Sequence, residues 1–196
     1  MEITHKTTFP FGVHKGRAFR DVPAWWIKEV WEERGHPIVC QYYEKYKYEI
    51  EAEVFKHFNR DYIMYFDGCC EPKNPYGQMG WGCYIEHAGK WVYHSSNRRK
   101  AGFENSNNVA EYLALLDGLK WFLDQDLAMK SILVRGDSAL VVNQMNKEWG
   151  FGKNGLYLQY GLEAKDIFDV FTNIQIEWIP REMNDECDYL SKMSLL

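Results

Sequence analysis

The chain has 196 residues, of which 46% are hydrophobic, and its formal net charge is −5 at pH 7. No stretch reaches the roughly 18 consecutive apolar residues of a membrane-spanning helix, and the first residues lack the apolar core of a secretory signal. The chain has five cysteines and no Cys-x-x-Cys pair, which argues against a disulfide framework and against a cysteine zinc site. We therefore expect a cytoplasmic, monomeric protein that binds no membrane.

The charge is unevenly distributed along the chain. Residues 1–60 hold ten basic and nine acidic side chains, whereas residues 61–196 hold thirteen basic and nineteen acidic ones. An acidic protein is an unusual partner for nucleic acid, because phosphate contacts favour a basic surface. If four of these acids hold two divalent cations, however, much of the negative charge belongs to a metal site.

Residues 1–58 are predicted to form a small module made of a hairpin and two helices. A glycine-containing turn indicates the hairpin, from Thr7 to Ala18. Asp21 is placed as the N-cap of the first helix, which Gly35 and Pro37 are expected to end. Apolar residues at spacings of three and four predict the second helix, from Gln41 to about Arg60.

Residues 59–196 are predicted to form an α/β domain. Three β-rich runs come first, and helices then alternate with strands, which favours a mixed five-stranded sheet flanked by helices. The expected strands are 62–66, 81–86, 91–96, 132–134 and 174–179. The expected helices are a long one that begins after the polar run at 106–108, and shorter ones over 140–145, 161–171 and 185–193.

Four acids occupy positions that favour a shared metal site. Asp67 and Asp137 each follow an apolar strand, and ligands in α/β sheets bind at the carboxyl ends of strands. Glu111, in the first turn of the long helix, and Asp188, in the last helix, have apolar neighbours. Taken singly, each acid could be a turn, cap or helix-terminus residue. Together they indicate Mg²⁺ or Mn²⁺, in the paired arrangement used for phosphodiester hydrolysis.

The segments around these acids resemble the four motifs of type 1 ribonucleases H, in the same order along the chain. The similarity covers about residues 61–193. The second and fourth segments are the most specific, because a Ser-Asn-Asn run before a helical Glu has no general structural requirement. The four segments are Tyr65-Phe66-Asp67-Gly68, Asn107-Asn108-Val109-Ala110-Glu111-Tyr112, Gly136-Asp137-Ser138 and the run from Arg181 to Asp188.

The resemblance implies a ribonuclease H-like fold and endonucleolytic cleavage of the RNA strand of RNA/DNA hybrids, leaving 5′-phosphate and 3′-hydroxyl ends. It implies two Mg²⁺ ions, for which Mn²⁺ can substitute. The implied metal carboxylates are Asp67, Glu111, Asp137 and Asp188. The implied substrate contacts are Cys70, Asn74, Ser106, Asn107, Asn108, Asn143 and Arg181. An asparagine near a loop is more often a cap or turn residue, and Arg181 could be an ordinary surface charge.

Two features depart from the family pattern. No histidine follows His94, so the loop histidine of many members is absent, and Arg181 occupies that neighbourhood. The segment 149–158 is too short for the basic helix with which some bacterial members hold substrate. The run from Phe9 to Arg17 is similar to an uncharacterised bacterial and phage module built on Phe-Gly-x-x-Lys-Gly. That module could bind substrate, or its aromatic residues could be core and its lysines merely solvated.

Two other functions remain open from the residues. One is a different nuclease of the same fold, such as a resolvase or an exonuclease. Exonucleases of that kind carry Asp-x-Glu on the first strand, whereas Asp67-Gly68-Cys69 has no second acid. The other is a non-catalytic protein that binds hybrids, which should lack at least one site acid, yet none of the four is missing.

Overall fold

The computed structural model describes residues 2–193 and Leu195, without the side chains of Val13, Arg34 and residues 56–58. The chain divides into two compact units, Met1–Arg60 and Asp61–Leu196. Each unit has a hydrophobic core of its own. No described helix is both long enough and apolar enough to cross a bilayer.

The first unit begins with turns rather than with the predicted hairpin. Thr8 and Ala18 form a single isolated antiparallel bridge, and no strand continues from it. Short 3₁₀ helices cover Gly12–His14 and Phe19–Asp21. Asp21 therefore belongs to a turn, so its placement as a helix N-cap was wrong. The Phe9 and Phe19 rings are 1% exposed and contact each other at a centroid distance of 5.2 Å, so the turns pack around this pair.

Two helices complete the first unit: α1, Ala24–Arg34, and α2, Pro37–Phe58. Gly35 ends α1 in the left-handed conformation (φ 58°), and its N–H bonds to the Val30 carbonyl, as predicted for a helix-ending glycine. Pro37 was expected to end a helix, but it begins α2. Proline suits the first helical position because that position has no intrahelical use for an N–H.

The second unit opens with three antiparallel strands, β1 (Tyr62–Glu71), β2 (Gln78–His87) and β3 (Lys90–Arg99). Each is ten residues long, so the predicted strands were too short. Consequently Asp67 lies within β1, opposite Gly82 of β2, and not at the end of a strand. Local apolar runs predicted only part of each strand, whereas pairing with β2 extends β1 to Glu71.

The remaining elements alternate as predicted. They are α3 (Asn107–Asp124), β4 (Ile132–Gly136), α4 (Ala139–Met145), α5 (Leu158–Phe168), β5 (Ile174–Trp178) and α6 (Asp185–Met193). The five strands form one sheet in the order β3-β2-β1-β4-β5, with β4 parallel to both β1 and β5. The predicted mixed five-stranded sheet is therefore confirmed. Helix α5 begins and ends three residues earlier than predicted.

Helices α3 and α6 pack on opposite faces of the sheet. Alternate residues of β1 point to alternate faces: Met64 and Phe66 join the core beneath α3, whereas Asp67 bonds to Ser191 of α6. The neighbouring residues Phe66 and Asp67 of β1 therefore contact different helices, α3 and α6. The acidic residues come together at this part of the sheet.

Candidate active site

Three carboxylates from three different elements converge at one end of the sheet. Asp67 lies in β1, Glu111 in α3, and Asp137 directly after β4. One carboxylate oxygen from each lies within 4.8 Å of the others. Asp67 and Glu111 are only 5% and 4% exposed, and Asp137 is half-buried. Such close, buried acids repel one another unless a proton or a cation compensates them.

Strand register places the two aspartates side by side. Strands β1 and β4 are parallel neighbours, and Phe66 pairs with Gly136. The next residue of each strand is an aspartate, so Asp67 and Asp137 follow the same rung of the ladder. Adjacent strands lie about 4.8 Å apart, which suits carboxylates that share a cation.

A glycine in β1 allows α3 to bring Glu111 to the aspartates. A Cβ atom at Gly68 would lie 2.3 Å from both the Ala110 carbonyl carbon and the Glu111 nitrogen. No side chain fits in that space, so the close approach of helix and strand depends on this glycine. Helix α3 begins at Asn107, so Glu111 lies in the second turn of the helix. The prediction that placed Glu111 in the first turn was wrong.

Burial makes this acidic cluster electrostatically unfavourable without a cation. Burial raises the pKa of Asp67 to about 7, and the charges of Asp137 and Asp188 add to the increase, although a hydrogen bond from Ser191 opposes it. Burial also raises the pKa of Glu111 well above its usual range, and both aspartates of the cluster contribute. The Oε2 atom of Glu111 is buried and has no hydrogen-bond partner among the residues that the structure describes. These observations fit a bound divalent cation.

Asp188 lies outside the cluster of three, although it was predicted with them. Its Oδ1 accepts from Arg181 Nη2 at 2.5 Å, and its Oδ2 accepts from Lys192 Nζ at 2.6 Å. Burial raises the pKa of Asp188, but these two cations outweigh that effect and leave the pKa below its usual value. Two cations of its own segment thus compensate the negative charge of Asp188. Among the described residues, Asp67 and Glu111 form no such ion pair.

Two further residues orient the acids, and neither was among the predicted site residues. Asn184 Nδ2 donates to the Phe66 carbonyl at 2.9 Å and to Asp137 Oδ1 at 3.1 Å. Ser191 Oγ donates to Asp67 Oδ2 at 2.7 Å. Asn184 lies in the last motif, four residues before Asp188, and Ser191 follows that motif, three residues after Asp188. This helical spacing was the signal that could have identified them.

The cluster opens into a cleft of about 360 Å³. Its lining includes the predicted substrate residues Cys70, Asn74, Asn107 and Arg181, and also Lys192, which was not predicted.

Ser106 is the N-cap of α3, because its Oγ accepts from the Val109 N–H at 3.3 Å. Among the described residues, Asn108 and Asn143 are both half-buried and do not belong to the cleft lining. Their substrate contacts, like those of Ser106, stay predictions.

Two asparagines join the first motif to the second. The backbone N–H of Asn107 donates to Asn74 Oδ1 at 2.9 Å, and the Asn107 side-chain amide reaches Glu111 Oε1 at 3.5 Å. The turn that follows β1 is therefore connected through Asn107 to the acidic cluster. Polar groups therefore line the cleft beside the carboxylates.

Comparisons with known proteins place this site in a family. A family model described as reverse transcriptase-like matches residues 65–194. The ribonuclease H of Caldicellulosiruptor saccharolyticus is 33% identical over 95 residues, which cover 46% of this chain and 55% of that protein. The chain spans between 31% and 65% of the length of the curated relatives that it matches.

Solved structures agree with this comparison. RNase H1 from the halophilic archaeon Halobacterium salinarum is 27% identical with a TM-score of 0.59, and the match covers 68% of this chain and 96% of that one. LC11-RNase H1, from a compost metagenome and solved with an RNA/DNA hybrid, is 28% identical with a TM-score of 0.60, covering 68% and 95%. These structures support the predicted resemblance to type 1 ribonucleases H. Because the family model covers more than half of the chain and includes the whole acidic cluster, the chain belongs to the reverse transcriptase-like family.

Proposed function

We propose that this protein cleaves the RNA strand of RNA/DNA hybrids endonucleolytically, leaving 5′-phosphate and 3′-hydroxyl ends. The observation that carries the proposal is the cluster of Asp67, Glu111 and Asp137, whose carboxylate oxygens lie within 4.8 Å of one another at the base of a polar cleft. The hybrid-bound structure of LC11-RNase H1, which this chain resembles over 68% of its length, supports the choice of substrate.

The chemistry of the carboxylates suits two Mg²⁺ ions, with Mn²⁺ as a substitute. Hard oxygen ligands without nitrogen or sulfur favour such ions. Asp67, Glu111 and Asp137 would hold them, and the resemblance assigns Asp188 to the same set. Ions bound there would supply activation of the attacking water and stabilisation of the leaving oxygen.

The surrounding side chains keep the carboxylates in position. Ser191 donates to one oxygen of Asp67, and Asn184 donates to one oxygen of Asp137, and these hydrogen bonds limit the rotation of both carboxylates. Partners of this kind commonly change metal affinity or activity by about 10–100-fold when they are removed. The proposed reaction therefore depends on α6 and the turn before it, as well as on the acids.

The cleft supplies groups for substrate recognition. Asn74, Asn107 and Cys70 offer short polar side chains beside the acids, where ribose 2′-hydroxyl groups would distinguish RNA from DNA. Arg181 and Lys192 are cations that line the same cleft. We propose that they contact phosphate oxygens of the bound strand, because a guanidinium and an ammonium group both bind phosphate well.

Incubation of the full chain with end-labelled RNA/DNA hybrid, double-stranded RNA and double-stranded DNA tests the function. Cleavage is expected only in the RNA strand of the hybrid, and only without EDTA. Asp67→Asn should abolish it while hybrid binding survives, whereas Asp166→Asn, an exposed acid of α5, should leave it unchanged. Cleavage of duplex DNA would point to another nuclease of this fold, and binding without cleavage would point to a non-catalytic protein.

A further inference from the structure

Two loops at the edge of the cleft are tied into one surface. Residues 72–77 join β1 to β2, and residues 100–106 join β3 to α3. The Tyr76 N–H donates to the Asn105 carbonyl at 2.8 Å, and the Gly102 N–H donates to the Tyr76 carbonyl at 3.2 Å. The Asn105 side chain, 1% exposed, donates to the carbonyls of Gly77 and Lys100 at 2.8 Å each. These bonds hold the two loops together.

Each of these loops presents an aromatic ring to solvent. Phe103 is 87% exposed and Tyr76 is 43% exposed. Their ring centroids lie 5.8 Å apart at 61°, an edge-to-face contact in which the two rings do not stack face to face. We call this pair the aromatic platform. A buried asparagine orders the loops, and within the described residues neither ring belongs to a hydrophobic core cluster, so core packing does not explain them.

Basic residues are concentrated in the two loops that carry the aromatic platform and at the end of β3, although the second unit as a whole is acidic. Four of the thirteen basic residues of the second unit lie at position 73 and at 98–100, whereas the segments 71–77 and 98–106 contain only Glu71 and Glu104 as acids. Lys73 Nζ lies 5.8 Å from the Tyr76 ring centroid. Within the described part of the chain, Lys73, Arg98 and Lys100 are exposed and form no salt bridge with a carboxylate. These charges are therefore available to a polyanion.

The platform is continuous with the cleft. Asn74 lines the cleft and precedes Tyr76 by two residues. The Asn107 N–H bonds to Asn74, and Asn107 follows Phe103 by four residues. A nucleic-acid strand that leaves the cleft beside Asn74 and Asn107 would therefore contact the aromatic platform.

We propose that Tyr76 and Phe103 stack on an unpaired nucleotide that continues from the hybrid in the cleft, while Lys73 and Lys100 bind its phosphates. The inference rests on the proposed function. An unpaired base is the occupant that fits, because bases within a duplex hide their faces from a side chain, whereas an extruded or overhanging base exposes them. Aromatic rings interleaved with free cations are the features that bind single strands without sequence preference.

Binding of overhang substrates tests the proposal. The full chain carrying Asp67→Asn is titrated with a blunt hybrid and with hybrids bearing a short 5′ or 3′ extension on either the DNA or the RNA strand. Fluorescence anisotropy gives the affinity, and 2-aminopurine at the first unpaired position reports stacking. One of the four extensions should bind at least about fivefold more tightly than the blunt hybrid, which is the lower end of the affinity that one stacked base supplies.

Variants assign that gain to the platform. Phe103→Ala and Phe103→Leu should both remove the fivefold preference and the 2-aminopurine quenching, since leucine keeps apolar area but cannot stack. Trp91→Ala is the matched control, because Trp91 is 46% exposed at the opposite end of the same sheet. It should leave both signals intact.

The outcomes separate this proposal from the function on which it rests. Equal binding of blunt and extended hybrids, or a preference that survives in Phe103→Ala, would overturn the platform even if the parent chain cleaves hybrids. If the parent chain cleaves no hybrid yet quenches 2-aminopurine through Phe103, the proposed function fails and the platform stands.

Discussion

Lys192 Nζ lies 2.6 Å from Asp188 Oδ2, one turn further along α6, while Arg181 contacts the other oxygen of the same carboxylate. Two cations of the same chain segment thus compensate one acid of the site. Asp67 and Glu111 form no such ion pair among the described residues, and burial raises the pKa of both. Acids that look equivalent in the sequence therefore have different electrostatic environments.

Asp188→Asn should impair hydrolysis much less than Asp67→Asn does. Asp188 is outside the cluster, so its loss leaves the three convergent carboxylates intact, and the expected decrease in kcat is about 10–100-fold, as for partners that only support metal ligands. Single-turnover hydrolysis of a labelled hybrid at saturating Mg²⁺ measures the decrease in the rate of cleavage. Glu186→Gln, an exposed acid of the same helix, serves as the control. Equal losses for the two aspartates would show that Asp188 ligates metal as directly as Asp67.

Asp67→Asn should stabilise the metal-free protein at neutral pH. Burial raises the pKa of Asp67 to about 7 in the folded chain, against 3.8 ordinarily. As the pH rises, Asp67 therefore loses its proton at a lower pH in the unfolded chain than in the folded chain. The free energy of unfolding therefore falls between about pH 4 and pH 7, by at most a few kcal/mol. Asparagine removes this loss and can still accept from Ser191.

Calorimetry in EDTA at pH 5 and pH 8 checks this expectation. The parent should lose more stability than Asp67→Asn between the two pH values, and saturating Mg²⁺ should restore the parent more than the variant. Asp166→Asn should behave as the parent does. An identical pH dependence for parent and Asp67→Asn would contradict the raised pKa.

Gly68→Ala should damage both folding and activity. The new Cβ would lie 2.3 Å from backbone atoms of Ala110 and Glu111, so α3 must move away from β1 and carry Glu111 with it. Overpacking of this kind typically costs about 1–3 kcal/mol. Denaturant unfolding and hybrid hydrolysis measure the two effects. Gly150→Ala is the matched control, because a Cβ there meets nothing within 4 Å. Wild-type activity in Gly68→Ala would show that the contact is not needed to place Glu111.

The first unit should raise substrate affinity without taking part in chemistry. Lys15 and Arg20 are exposed, and Arg17 lies 3.5 Å from the buried His14. A basic segment tethered to an acidic catalytic unit raises its effective concentration near a polyanion. Replacement of Lys15, Arg17 and Arg20 by Ala should therefore raise KM, mostly at higher salt, and leave kcat within a few fold.

Steady-state kinetics at low and high salt measure this effect, with deletion of residues 1–58 as a harsher variant beside it. Lys47→Ala, an exposed cation of α2, is the control. If the folded triple variant keeps the parental KM and salt dependence, the first unit has a structural or partner-binding role instead.

Local signals in the sequence were sufficient for much of this fold. Ser106 was identifiable as part of a cap before a long apolar stripe, and it caps α3. The final helix has the predicted bounds, Asp185–Met193. Apolar periodicity and caps act over a few residues, so they can be read without knowledge of the rest of the chain. Three of the four predicted acids also converge, because strand order and parallel pairing follow from the alternation of elements.

Only the tertiary structure determined the pairing, the ion pairs and the burial of these residues. The polar ends of β1 and β2 are strands because they pair with each other, which no local propensity reveals. Asp188 is separated from the other acids because the packing of α6 places Arg181 and Lys192 on its two oxygens. The raised pKa of Asp67 likewise arises from burial by distant segments. Residue identity determined which groups could form a site, and long-range packing determined their charge, partners and exposure.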